Sequence, residues 1–470
     1  MTRHMSNGLN ALFKPSSVAV IGASARPGKI GNEVMRNLMK GDRRVYPVNP
    51  NEAEIMGVKC RGSVEEIPGP VDLAIVALPA GASVEAVRGC VSKGVRAVVV
   101  SASGFGESGE EGRKREEELL KAVSGTSTRI LGPNTMGLFV PSSSLDTLFI
   151  SSERSSRPGP GTVALISQSG AVAVSFMEKA EASGMGVSAC VCVGNKCDID
   201  ELELMEYFAD DDDTNSIALY LESFSDGRRF IEVSRRVSME KPVVLLKSGR
   251  TPAGHRAARS HTGAISSSSD QVVDGVLHQA IVSRASDEES LVDMSRALSV
   301  IGHTQGGRVC IIASAGGFGV IGADITESSD CPSLRMAELS EETIRSLKSI
   351  VPSFTSPQNP VDLTAGVTDE MYDDALGVLQ SDPGVDSIMM SLELQPPNVT
   401  SELIGIAARR SASSTTPIVV SAFAKDQPSL LKEMARKNLV AYPTIRRSLR
   451  SLDVLAERGA RLLNDRQPGV

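Results

Sequence analysis

The sequence predicts an α/β protein built from three tandem parallel-sheet domains. Short continuous Val/Ile runs end in Gly, Ser or Asn, as strands buried on both faces of a parallel sheet do. Helix-length segments separate these runs at regular spacing, which is the βα repeat of a doubly wound sheet. The chain has 470 residues, enough for about three domains at roughly 100–200 residues each.

The first series comprises Ser17–Ile21, Val45–Val48, Leu73–Ala77, Ala97–Ser101 and Arg129–Leu131, with helices expected over 32–39 and 109–123. It defines a domain over residues 1–145. The Ser/Pro/Gly-rich stretch Ser151–Pro160 places a linker at 146–160. A second series, Thr162–Ile166, Val187–Val193, Ser216–Leu221 and Pro242–Leu246, closes in helices near Val300 and gives a domain over 161–301. After the break Gly302–Gly307, a third domain over 308–470 opens with Arg308–Ala313. It continues through Ser387–Ser391 and Pro417–Ala422, and ends in a helix over Ile445–Leu463.

Composition narrows the function classes. Lys+Arg is 49 against 57 Asp+Glu, a net charge of −8 that excludes the basic face of a general nucleic-acid binder. Apolar residues at 41% and charged residues at 23% exclude wholesale disorder. With aromatics at 3% and no Trp, the cores must be built from Val, Ile, Leu, Ala and Met. No run of about 18 apolar residues is present, so no membrane-spanning helix is expected. The opening Met1-Thr-Arg-His-Met lacks the apolar centre of a signal peptide. The seven Cys form no CxxC pair, and Cys190, Cys192 and Cys197 read as small buried hydrophobes. A reduced, cytoplasmic protein is expected.

The first strand runs into Gly22-Ala-Ser24-Ala-Arg-Pro-Gly28-Lys29-Ile-Gly31 and then a helix. Glycine at such a turn lets backbone N–H groups approach phosphate oxygens, although a helix needing only a tight turn has the same pattern. An NAD site would want an acid at the end of the second strand; Asn49 stands there, which disfavours NAD. Later strand ends at Pro79, Ser103 and Gly132-Pro133-Asn134 are small and rich in free backbone groups. Together they describe a groove for an extended phosphate-bearing ligand.

Two further strands break into helix N-termini, at Ser167-Gln168-Ser169-Gly170 and at Ser314-Ala315-Gly316-Gly317. Each fits an anion cradle, or simple N-capping by Ser with close packing by Gly; neither matches a Walker P-loop. Of the five His, His4 lies near the terminus, His303 in a linker, and His278 reads as a partly buried helical residue. His255 and His261 share a Gly-flanked loop carrying three Arg after a buried strand, where an anion would be handled. No His or Cys stands at metal-ligand spacing, so no metal site is expected. Glu222 ends an apolar strand, placed either to cap the next turn or to orient an imidazole. The acidic run Asp210–Asp213 reads as a solvated helix end.

Taken in order, the glycine loop, Gly-Pro-Asn134, Ser-Gln-Ser169-Gly, Gly194-Asn-Lys196, Leu-Glu222-Ser, Ser260-His261-Thr-Gly263-Ala, Ala315-Gly-Gly317 and Asn359-Pro-Val-Asp362-Leu resemble the NDP-forming acyl-CoA synthetases, relatives of succinyl-CoA synthetase. Within them the closest likeness is to the α-subunit type of the ADP-forming acetyl-CoA branch, over almost the whole chain. The resemblance implies a Rossmann-like CoA-binding domain followed by two flavodoxin-like domains. It also implies a reaction: phosphate attacks an acyl-CoA to give an acyl phosphate, and a phosphohistidine then carries the phosphoryl group to ADP. By resemblance His261 would be the nucleophile and Glu222 its orienting carboxylate. Ser167, Gln168, Ser169 and Gly170 would form one phosphate cradle, and Gly316 and Gly317 would open a second. Gly22, Ser24, Gly28, Lys29, Asn49, Pro79 and Ser103 would line the CoA site, with Asn134 near the thioester.

No ATP-grasp region is recognisable, so the resemblance implies a partner β subunit that binds ADP/ATP and Mg²⁺, in an α2β2 assembly. The His261 loop would then move between sites, with Ser266–Ser269 supplying local flexibility. Arg259-Ser260 departs from the two small residues expected before His261 and adds positive charge there. The competing reading is a non-catalytic or regulatory CoA-binding protein. It would need none of His261, Glu222 or the two cradles.

Overall fold

The computed structural model describes residues 9–254, 256 and 269–466. His4, His255, His261, Arg259, Ser260 and Ser266–Ser268 lie outside the described residues.

The first sheet is built from β1 (Ser17–Ile21), β2 (Arg44–Val48), β5 (Leu73–Val76), β6 (Ala97–Val100) and β7 (Arg129–Leu131). A small hairpin, β3 (Glu54–Ile55) and β4 (Val58–Lys59), sits between β2 and β5. All five strands are parallel, in the order β2-β1-β5-β6-β7. The chain starts in the middle, winds outward to β2, then returns to β5 and proceeds the other way. Helices α1 (Ile30–Leu38), α2 (Ala80–Lys93) and α3 (Glu110–Val123) make the crossovers. Val18–Val20, Leu73–Val76 and Ala97–Val100 are buried on both faces, as the unbroken apolar runs require.

The second sheet repeats this winding with β10 (Pro160–Ser167), β11 (Val187–Cys192), β12 (Ser216–Leu221), β13 (Val243–Lys247) and β14 (Ser283–Arg284), in the order β14-β13-β12-β10-β11. Its edge is extended by an antiparallel hairpin, β8 (Leu138–Val140) and β9 (Leu145–Asp146), with β8 pairing β11. Helices α4 (Gly170–Ser183), α5 (Glu201–Ala209), α6 (Gly227–Glu240) and α7 (Asp270–Gln279) follow their strands. After α8 (Glu288–Val300), a third sheet has the order β16-β15-β18-β19-β20, with β17 also pairing β15. Its strands are β15 (Arg308–Ala313), β16 (Arg335–Met336), β17 (Val361–Asp362), β18 (Ser387–Glu393), β19 (Ile418–Phe423) and β20 (Ala441–Tyr442). Its first crossover helix is α9 (Gly316–Thr326), and the chain closes in a long helix over Ile445–Arg466.

The three sheets fall into two compact units. One holds the first two sheets, up to Glu181 and from Gly186 to Glu288; the other holds Ala182–Met185 and the chain from Glu289. In the first unit a single apolar cluster runs through both sheets, from Val18 and Leu73 to Ile166, Leu219 and Leu245.

Several local expectations can be set beside the structure. The hairpin at 138–146, which but for Asp146 lies in the stretch expected to belong to the first domain, hydrogen-bonds to the second sheet. The stretch expected as a linker is pinned rather than slack. Arg157 pairs with Asp146 at 2.7 Å and donates to the Ile150 carbonyl at 2.7 Å, while Ser156 is held by Glu178 through its N–H at 2.8 Å and its hydroxyl at 2.6 Å. His278 is exposed, because it lies on the solvent side of α7 while Val273 and Leu277 face the core. Cys190 and Cys192 are buried in β11, but Cys197 lies beyond it and is half-buried. Asp210–Asp213 follow the end of α5, with Asp210, Asp212 and Asp213 exposed. Among the described residues no helix is long and apolar enough to cross a membrane.

The first turn of α1 sets a close approach that only glycine permits. A Cβ on Gly31 would stand 2.1 Å from the Gly22 carbonyl oxygen. Gly31→Ala should therefore cost about 1–3 kcal/mol through overpacking. Gly81→Ala, in α2 with nothing within 4 Å of the added carbon, should be neutral or stabilising by up to about 1 kcal/mol. Urea unfolding of both variants checks the contrast.

Candidate functional site

In an open parallel sheet, ligands gather beyond the carboxyl ends of the strands, where the winding reverses. In the first sheet that point lies between β1 and β5, and a cavity of about 1220 Å³ opens there. Gly22, Ser24, Lys29, Asn49, Pro79 and Ser103 all line it, as does Asn134. Gly28, at φ +81°, shapes the turn but is not part of the lining.

Local hydrogen bonds explain why the loop holds its form. Gly22, at φ +84°, donates to the Val48 carbonyl at 3.0 Å, tying β1 to β2 just where the loop begins. The Asn49 amide donates to the Ala23 carbonyl at 2.8 Å, and its oxygen accepts from the Asn51 N–H at 2.9 Å. Asn49 thus braces the glycine loop from inside. The start of α1 carries the cavity's cations, Arg26 and Lys29; Glu52, Glu65 and Glu85 line it elsewhere. Asn134 reaches the cavity in a left-handed conformation, φ +58°, with its N–H on the Ala102 carbonyl at 2.9 Å.

The second sheet reverses between β10 and β12, and here the sequence-predicted residues converge. Ser167 ends β10 in register with Tyr220, two residues before Glu222. The Ser167 hydroxyl donates to the Ser169 carbonyl at 2.7 Å and accepts from the Ser169 N–H at 3.2 Å. Ser169 in turn caps α4 by accepting from the Val172 N–H at 3.4 Å. Both hydroxyls therefore shape the turn. Of the first-turn amides of α4, that of Val172 is taken by this cap, and those of Gly170 and Ala171, which have no acceptor within the helix, are free to meet an anion. Gln168 does not face outward either. Its Oε1 accepts from the N–H groups of Glu222 (2.6 Å) and Ser223 (2.9 Å), and its Nε2 donates to the Ser223 hydroxyl at 3.2 Å. So Gln168 is the link that fixes the Glu222 turn against the cradle.

Glu222 is buried, and the Tyr220 hydroxyl donates to its Oε1 at 3.4 Å. Lys247, the last residue of β13, is also buried, and its ammonium donates to the Glu222 carbonyl at 2.8 Å and the Ser248 carbonyl at 2.6 Å. It lies 5.9 Å from the Phe224 ring centroid. Burial and the nearby Arg284 lower its pKa to about 8, with Glu222 and Asp270 acting the other way. Sequence reading passed over Lys247. The available signal was a lone Lys closing the run Val-Val-Leu-Leu at the strand end that leads to His261.

In the other unit, α9 starts at Gly316 as expected, after Ala315 in extended conformation. A Cβ on Gly316 would lie 2.6 Å from an Asp362 carboxylate oxygen, whereas Gly317 opens to space. The Ser314 and Ser391 hydroxyls both donate to buried Glu393, so Ser314 too is committed to the scaffold. Asn359 accepts from the Ile311 N–H at 2.9 Å and donates to the Val309 and Ala337 carbonyls at 2.9 and 3.0 Å. That staple explains the Asn-Pro-Val-Asp motif. Among the described residues no group of three or more His, Cys, Asp or Glu side chains could hold a metal ion.

Comparison with known proteins agrees with this layout. Residues 16–141 match a CoA binding domain, 160–298 a succinyl-CoA ligase like flavodoxin domain, and 309–447 a ligase-CoA domain. The chain is 38% identical to the α subunit of an ADP-forming acetate–CoA ligase I of Pyrococcus furiosus, over 95% of this chain and 97% of that one. It belongs to the ADP-forming acyl-CoA synthetase family. A relative from Archaeoglobus fulgidus, an ADP-forming acetate–CoA ligase, is 38% identical over 82% of this chain, which spans only 55% of that longer protein. Among solved structures, an acetyl-coenzyme A synthetase of Ca. Korarchaeum cryptofilum in complex with phosphate and ADP superposes with a TM-score of 0.88 at 32% identity, covering 99% of this chain and 100% of that one.

The lowered pKa of Lys247 has a definite consequence for stability. The folded state binds its proton less tightly than the unfolded chain, whose Lys titrates near ~10.4. Stability from this group is therefore lowest below about pH 8 and rises as pH climbs from there toward ~10. The unfolding free energy of the wild type minus that of Lys247→Met, from urea titrations, should increase between pH 7 and pH 9.5.

Proposed function

We propose that the chain is the α subunit of an ADP-forming acyl-CoA synthetase, catalysing acyl-CoA + phosphate + ADP = acid + CoA + ATP. The observation that carries this reading is the convergence at the second sheet. There, Gln168 ties a helix N-terminus suited to phosphate to the backbone of the turn that carries a buried carboxylate. A protein that only bound CoA would need the first cavity alone.

In this reading CoA lies along the first cavity, with its phosphates toward the α1 start and its acyl end toward Asn134 and Ser103. A phosphate oxygen attacks the thioester carbonyl, the C–S bond breaks, and the thiolate leaves as CoA with a proton. The His261 imidazole then attacks phosphorus, the P–O bond to the acyl group breaks, and the acid departs as carboxylate. The α4 amides and the dipole behind them stabilise the charge gathered on the phosphoryl oxygens. Glu222 holds the imidazole in the tautomer whose free nitrogen attacks, and stabilises the cationic ring that results. The phosphoryl group then passes from His261 to ADP.

The Gly316–Gly317 helix start would supply a second set of amides for the phosphoryl group. Nucleotide and Mg²⁺ would sit on an ATP-grasp β subunit, in an α2β2 assembly, and the His261 loop would travel between the sites. The domains are assigned as 1–145, 161–301 and 308–470, and the cytoplasm is the proposed location.

Incubating the chain with radiolabelled phosphate and a panel of acyl-CoAs tests the reading, with and without the β subunit. Acid-labile, base-stable label should appear on the protein, depend on acyl-CoA, and be absent in His261→Ala. Glu222→Gln should keep CoA affinity and slow labelling by about 10²-fold or more, a loss of the size expected for a group aligned with the reacting imidazole. CoA binding without label, even with the β subunit present, would establish the non-catalytic CoA-binding reading instead.

A further inference from the structure

We infer that Gly194-Asn195-Lys196 is a two-sided positioning element, in which Asn195 sets the acyl end of the first cavity and Lys196 sets the turn carrying Glu222. The inference rests on the functional reading above. It assigns a task to three residues that neither line the cavity themselves nor belong to the phosphate turn.

The tripeptide is wedged against the loop that carries Asn134. A Cβ on Gly194, at φ +55°, would lie 2.2 Å from the Pro133 carbonyl oxygen and 2.6 Å from that of Asn134. The Asn195 N–H donates to the Pro133 carbonyl at 2.9 Å. Its side chain reaches the other wall: Nδ2 donates to Glu107 Oε2 at 2.6 Å and to Glu116 Oε2 at 2.8 Å, while Oδ1 accepts from Asn134 Nδ2 at 3.4 Å. Those two carboxylates in turn accept the N–H groups of Gly104, Phe105 and Gly106, the loop that follows Ser103. Asn195 therefore grips both loops that bring Ser103 and Asn134 to the cavity.

One residue on, the direction changes. Lys196 is held at φ +57°, a left-handed conformation that a side chain rarely adopts unless its surroundings over-determine it. Its ammonium pairs with Glu201 at 2.9 Å, with side-chain exposures of 4% and 0%. It also donates to the Ser223 carbonyl at 2.8 Å. Glu201 holds the same turn further along, accepting the Ser225 N–H and hydroxyl at 2.8 Å each. The turn after Glu222 is thus fixed from below by Lys196 and Glu201, as Gln168 fixes it from the cradle side. A buried pair of this kind is an unreliable source of stability, yet it constrains geometry strongly. A left-handed backbone turn lets neighbouring side chains serve two sites.

The two sides should separate in experiment. Asn195→Ala should weaken acetyl-CoA binding by about tenfold, the value of one lost hydrogen-bonding group, with the affinity for CoA itself changed less than about twofold. Lys196→Met leaves the Glu201 carboxylate buried without its cation and endangers folding, so it is paired with Lys196→Met/Glu201→Gln, which removes both charges. The double variant should keep both affinities and slow acetyl-CoA-dependent phosphate labelling of the α chain, with its β subunit present, by about tenfold or more. Lys196→Arg should restore part of that rate. Calorimetry with acetyl-CoA and CoA, alongside labelling, reads all three. An unchanged acetyl-CoA to CoA affinity ratio in Asn195→Ala overturns the inference. So does a double variant that shifts the ratio as far as Asn195→Ala does. A wild type that binds both ligands but takes no label overturns the phosphohistidine reading, and the affinity ratio still decides this one.

Discussion

A single topological constraint organises the molecule: the parallel strands of each of the three large sheets start in the middle and reverse their winding once. The reversal leaves the carboxyl ends of two neighbouring strands pointing into the same space without a crossover helix to cover them. In the first sheet those ends carry the Gly22 loop and Pro79; in the second, the Ser-Gln-Ser-Gly turn and Glu222; in the third, Ser314-Ala-Gly-Gly and Glu393. The helix starting at each first strand brings its unpaired amides to the same place. Backbone geometry thus offers three places where, in the proposed function, an anion would be met by amides while the side chains hold the turns in shape.

That division of labour accounts for the hydrogen bonds at the second sheet. Ser167, Ser169 and Gln168 spend their polar groups on backbone and on the Ser223 hydroxyl, so in the proposed function the Gly170 and Ala171 amides of α4 would be what face a phosphoryl group. Buried polar groups tolerate such a site only when nearly all are satisfied, since each one left without a partner costs its full desolvation. Four buried or half-buried side chains meet that demand around the Glu222 turn: Gln168, Lys196, Glu201 and Lys247. Rigid support of this kind is what an orienting carboxylate needs.

The long buried strands were legible because their apolar runs are continuous and long enough to register. The glycine loop, the Ser-Gln-Ser-Gly turn and Glu222 could be found because each interrupts such a run. Strands β14, β16, β17 and β20 are two residues each and join their sheets only through long-range pairing, so no local pattern announces them. The hairpin at 138–146 was assigned by its position in the chain, while its partner, β11, lies some fifty residues on. Lys247, and the role of Lys196 within its motif, were hidden for a similar reason. Their partners are carbonyl groups and a carboxylate whose placement depends on how the loops fold, and a lysine beside a strand end is common. Asn49 and Gln168 were assigned to their ligands by the resemblance; Asn49 lines the cavity while its amide braces the glycine loop, and Gln168 spends its amide on the Glu222 turn.

The central claim is that the first reversal takes CoA and the second takes phosphate. Amide hydrogen exchange of the assembled protein, with and without CoA and with phosphate added separately, measures it directly. CoA should slow exchange at Gly22–Ile30, Ala77–Ala80 and Ser101–Gly104, and phosphate at Gly170 and Ala171, with little spread between the two sets. Protection by CoA at the second reversal and not the first, or by neither ligand at either one, would contradict the account.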